Sequence, residues 1–100
     1  MTDDATITLI NLFNVPQGKL EETMEMWTLA RDFMLAQPGF VSAQLHRSHS
    51  SNARYQLVNV AKWESKDACL EAMTRMRSEV ELPIIEGLES SPALYDAVHL

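Results

Sequence analysis

The sequence predicts an α+β domain with the element order β-α-β-β-α-β. Three observations carry that prediction. Apolar residues alternate in four short stretches, they recur at helical spacing in two longer ones, and Pro or Gly punctuates the junctions. This order is that of a ferredoxin-like antiparallel sheet with both helices on one face.

The first strand is expected over residues 6–14. Its two rows, Ile7, Leu9, Asn11, Phe13 and Thr8, Ile10, Leu12, Asn14, are both largely apolar, and Pro16-Gln17-Gly18 breaks it. The first helix is expected over residues 19–36. There Leu20, Met24, Trp27, Ala30 and Met34 share one face, and Met26, Leu29 and Phe33 widen the stripe. Glu21 and Glu22 sit in its first turn, where the helix dipole favours acids, and Pro38-Gly39 ends it.

Strands two and three, residues 40–47 and 54–63, form a hairpin across the polar turn from Ser48 to Ala53. Strand three has the rows Tyr55, Leu57, Asn59, Ala61, Trp63 and Gln56, Val58, Val60, Lys62; neither is cleanly polar. Ser65 caps a second helix, along which Cys69, Ala72, Met73, Met76 and Val80 recur before Pro83 stops it. A short extra turn is expected over residues 84–88. The last strand is expected over residues 93–100, after Ser90-Ser91-Pro92.

One hundred residues make one domain, residues 1–100. A chain this short buries only roughly two-thirds of its unfolded surface. Its single cysteine, Cys69, forms no intrachain disulfide and fits a reducing compartment. A sheet with helices on one face leaves its other face to water, and its strands then alternate apolar and polar. Here strands one and three are apolar on both rows, so a second copy is expected to cover the free face. The expected assembly is a homodimer, a dimeric α/β barrel.

No stretch approaches the roughly 18 apolar residues of a membrane helix. The start Met1-Thr2-Asp3-Asp4 lacks the layout of a signal peptide, so a cytoplasmic location is expected. Fourteen acidic residues against 8 basic ones give a net charge of −6, which argues against nucleic-acid binding. Glycines at 18, 39 and 87 are too scattered for a phosphate loop. No metal site is read from His46 and His49, which are spaced HxxH on a hairpin.

Several polar residues stand out. Asparagine is depleted in strands, yet Asn11 and Asn59 lie inside apolar ones. An unpaired buried amide costs on the order of 1–3 kcal/mol. Each amide either bonds a local backbone group or faces a pocket and bonds a ligand. Trp63 follows Asn59 by four residues on the same row, roughly 13 Å along the strand, and is either core or the stacking rim of such a pocket. His46 shares a row with Ser42 and Gln44; it is either solvated or a general base. The six methionines fall mostly at helical core spacing, which also suits the lining of an aromatic ligand.

The run Pro38-Gly39-Phe40-Val41-Ser42-Ala43, a hairpin, and then Val58-Asn59-Val60-Ala61-Lys62-Trp63-Glu64-Ser65 resembles the antibiotic biosynthesis monooxygenase domain over nearly the whole chain. Within that family the chain is similar to the cofactor-free monooxygenases of aromatic polyketide pathways, of actinorhodin and nogalamycin type. The resemblance implies oxidation of a hydroxyanthrone- or quinol-like small aromatic substrate by O2, without flavin or metal. It maps catalytic positions onto Asn59, Trp63, Asn11 and His46. The sequence departs from the actinorhodin type in having Cys69 in place of a tyrosine, and a later arginine of that type has no match. The family's haem-degrading members are an alternative. Asn11 and Trp63 match them, but no histidine lies between His49 and His99 to ligate haem. A non-catalytic dimeric module binding a small ligand is the third reading.

Overall fold

The computed structural model describes residues 6–100; the acidic start, Met1 to Asp4, lies outside the described residues. The elements run β1 (Ile7–Asn14), α1 (Leu20–Leu35), β2 (Phe40–Arg47), β3 (Leu57–Trp63), α2 (Lys66–Glu79) and β4 (Glu89–Tyr95). The strands form one sheet in the order β2-β3-β1-β4, and every neighbouring pair is antiparallel. The fold is the expected α+β, ferredoxin-like one.

Local chemistry sets the junctions. The Ser65 hydroxyl caps α2 by accepting from the Ala68 N–H at 3.1 Å. Gly39 has a φ of +86°, a conformation that L side chains rarely adopt. A Cβ at this position would stand 2.5 Å from the Ala68 Cβ, and the Gly39 carbonyl accepts from the Glu64 N–H at 2.7 Å. The helix stop is therefore also the point where the start of β2 seats against the first turn of α2.

Three strand boundaries differ from the sequence expectation, and α2 ends at Glu79, so that Val80 is extended rather than helical. β3 begins at Leu57 rather than at 54. The Gln56 carbonyl still accepts from the Ser48 N–H at 2.8 Å, but its side chain accepts from the Val15 N–H at 2.8 Å and donates to the Ala53 carbonyl, which turns the chain away from the ladder before Leu57. β4 begins at Glu89 and ends at Tyr95, so Ser90, Ser91 and Pro92 lie inside the strand. Pro92 sits opposite Asn11. Proline has no N–H to give, but β4 is an edge strand with one side unpaired, where proline is tolerated.

β2 carries a bulge. Phe40 pairs with Trp63 and Ser42 with Lys62, leaving Val41 as the extra residue. Phe40 thereby joins Ala43 and Leu45 on the helix side, while Ser42, Gln44 and His46 take the other face.

Two apolar clusters fill the space between sheet and helices. One joins Ala61, Trp63, Cys69 and Ala72. The other joins Phe13, Val15 and Leu57, with Leu20, Met24 and Trp27 packed on it. On the opposite face Ile10, Leu12, Val58 and Val60 are half-buried, and Gln44, His46 and Lys62 around them are exposed. No helix among the described residues is long and apolar enough to cross a membrane.

Candidate active site

A cavity of about 310 Å³ opens between the sheet and the helices, with lining drawn from both apolar clusters. That size is at the lower end of small-molecule sites. The register sets its polar wall. Asn11 of β1 lies directly opposite Asn59 of β3, and both line the cavity with Trp63. Trp63 is 1% exposed and is held edge-on by Phe40, with ring centroids 5.3 Å apart and planes at 87°.

The buried side-chain nitrogen and oxygen atoms without a hydrogen-bond partner, among the described residues, are Asn11 Oδ1, Asn59 Oδ1 and Trp63 Nε1. Buried polar atoms are almost always paired, and each exception asks for an explanation. All three belong to the wall of one largely apolar cavity. Two acceptors and one donor thus stand ready for a ligand that carries hydroxyl and carbonyl oxygens.

Of the residues singled out in the sequence, the structure brings Asn11, Asn59 and Trp63 together. His46 does not join them. It pairs with Val58 on the opposite face of the sheet and is exposed. Cys69 is fully buried in the first cluster, with its Sγ 3.8 Å from Met73 Sδ, and burial pushes its thiol pKa up. It is a packing residue, not a nucleophile. Met26, Met34, Met73 and Met76 line the cavity, and the first three also pack on the apolar clusters. Sequence reasoning missed Arg31, which also lines it. The available signal was its place four residues after Trp27 on the apolar stripe.

Among the described residues no group of three or more His, Cys, Asp or Glu side chains could hold a metal ion. The cavity lining offers no His, Cys or Tyr to ligate a haem iron, and its methionines are of a kind that ligates haem alongside a histidine. The donor set therefore does not fit haem held in that way.

No curated protein matches the chain. Solved structures do. A candidate monooxygenase from Shewanella loihica PV-4 is 44% identical, with 99% of this chain and 100% of that chain covered and a TM-score of 0.89. SnoaB, a cofactor-independent oxygenase from Streptomyces nogalater, is 26% identical over 95% of each chain, with a TM-score of 0.70. The haem-degrading protein Rv3592 from Mycobacterium tuberculosis shares the fold at 24% identity, over 94% of this chain and 92% of that chain, with a TM-score of 0.65. The family model described as antibiotic biosynthesis monooxygenase matches residues 6–77, and the chain belongs to that family.

Proposed function

We propose that this monooxygenase works without a cofactor and uses O2 to oxidise an aromatic, hydroxyanthrone- or quinol-like small molecule. The observation that carries the reading is the convergence of Asn11 Oδ1, Asn59 Oδ1 and Trp63 Nε1, all unpaired, on one apolar cavity. The likeness to SnoaB supports the absence of a cofactor.

The chemistry balances with substrate and O2 alone. The ring-activated CH2 loses a proton and becomes a stabilised carbanion. The anion passes one electron to O2, and the resulting pair combines into a C–O bond as a peroxide. Protonation and loss of water leave a carbonyl, so one CH2 and one O2 become one C=O and one H2O. Asn59 and Asn11 hold the substrate oxygens through their amides. The Trp63 N–H donates to the oxygen on which charge develops. With His46 across the sheet, water takes the first proton.

Metal-stripped protein is expected to consume O2 with dithranol, a hydroxyanthrone, and to form the quinone well above the spontaneous rate. An oxygen electrode read alongside quinone absorbance checks this. Uptake that appears only after haem is added would replace the reading with a haem-dependent one. No uptake under either condition would leave a binding module.

We also propose that the working unit is a homodimer closed through the free sheet face. The half-buried Ile10, Leu12, Val58 and Val60 at the centre of that face support it. Sedimentation should give twice the 11.3 kDa chain mass, and Val60→Lys should shift the population to monomer or to unfolded chain. A monodisperse wild-type monomer would overturn the dimer.

A further inference from the structure

Arg31 is the one charged side chain among the described residues that line the cavity. It stands one helical turn beyond Trp27, with its guanidinium carbon 5.4 Å from that ring's centroid. Its Nε and Nη2 both donate to Asp32 Oδ1, at 3.3 and 3.1 Å. The arginine side chain is 38% exposed and the aspartate 58%, so this pair of sequence neighbours is weak and well solvated. Its Nη1 group adds further donors to the fork. Partial exposure places Arg31 at the rim of the cavity, whereas Trp63 lies at its buried end.

The rest of the lining has no Asp, Glu, His, Lys, Tyr or Cys. The wall therefore offers a permanent cation and no group that takes up a proton near neutral pH. A fixed cation beside an ionisable ligand favours the ligand's charged form, and a guanidinium matches the geometry of an oxyanion.

We propose that Arg31 is the specificity-determining residue of this cavity, and that it selects aromatic ligands carrying an anionic oxygen, an ionised hydroxyl or a carboxylate. Such a ligand enters with its ring between the two apolar clusters and its charged edge at the rim. The ionised group anchors the ligand at the rim, and the CH2 proton still leaves to water. For turnover this deepens the cofactor-free reading, on which it rests; the binding preference stands apart from it.

The test uses two pairs of quinones that cannot be oxidised further at the reacting carbon. One pair is anthraquinone-2-carboxylate and its carboxamide. The other is 2-hydroxy-1,4-naphthoquinone, an acidic enol, and its methyl ether. Binding is read by quenching of tryptophan fluorescence. Wild type should bind the anion of at least one pair about ten- to a hundredfold tighter than its neutral partner. Arg31→Met keeps an apolar stem for the Trp27 ring and should abolish that ratio without changing affinity for the neutral quinone. The pair that shows the preference tells carboxylate from ionised hydroxyl. Equal affinities within both pairs, a ratio that survives Arg31→Met, or binding of none of the four overturns the proposal. Because no probe reacts with O2, a retained preference with no oxygen uptake on dithranol would sink the monooxygenase reading and leave this one standing.

Discussion

Asn59→Leu is expected to lower dithranol turnover by about two to three orders of magnitude while the protein melts at a higher temperature than wild type. The two effects have one source. Asn59 is 8% exposed, its Oδ1 has no protein partner, and its neighbours along the row are Leu57 and Ala61. An unsatisfied buried carbonyl destabilises the fold by about 1–3 kcal/mol. Leucine has the same branched shape and no polar atom, and the cavity beside it takes up its greater volume. For a domain of this size each kcal/mol regained raises the melting temperature by roughly 4–8 °C. Melts at equal protomer concentration, paired with oxygen uptake, check both halves. Full turnover would remove Asn59 from the chemistry. Lost turnover with a lower melting temperature would mean that the amide supports the fold instead.

The second large effect belongs to Gly39→Ala, far from any chemistry. Two penalties meet at this position. A φ of +86° costs a side-chain-bearing residue about 1–3 kcal/mol. The added methyl would also lie 2.5 Å from the Ala68 Cβ, and overpacking of that kind costs typically about 1–3 kcal/mol. Together these reach a large fraction of the roughly 5–15 kcal/mol that holds a native domain together. Combining Gly39→Ala with Ala68→Gly separates them, because the second change removes the contact and leaves the backbone penalty. Urea unfolding of the four proteins should give a favourable coupling of about 1–3 kcal/mol. No coupling would mean that the chain relieves the contact by moving.

Periodicity was enough to read α1, β2 and the order of elements, because apolar spacing and Pro or Gly stops agree at those places. β4 was misplaced because Pro92 reads as a breaker in sequence, and only the sheet order shows that its strand is an edge. The candidate site was half legible. Asn11 and Asn59 stand out as amides among aliphatic residues, but each strand is apolar on both rows. Alternation alone therefore could not say whether the two share a face. The β1–β3 register places them opposite each other. His46 follows from the same limit. Its row was readable, but which side of the sheet that row faces depends on the bulge at Val41. Arg31 was hidden because one charged residue beside an apolar stripe looks like a solvated face until a cavity is seen behind it.

The sheet carries a fault on each border: the bulge in β2 and Pro92 in β4. A bulge disrupts a ladder, and a proline removes a donor from it, so neither border makes a good template for an added strand. Growth by strand addition has no natural end and leads toward fibres, whereas a self-complementary contact through the flat of a sheet closes after two copies. A chain with two apolar sheet faces and clean borders would be a hazard at cellular concentrations. In this one, strand-by-strand growth is obstructed on both sides while the flat remains open, which keeps any self-association finite.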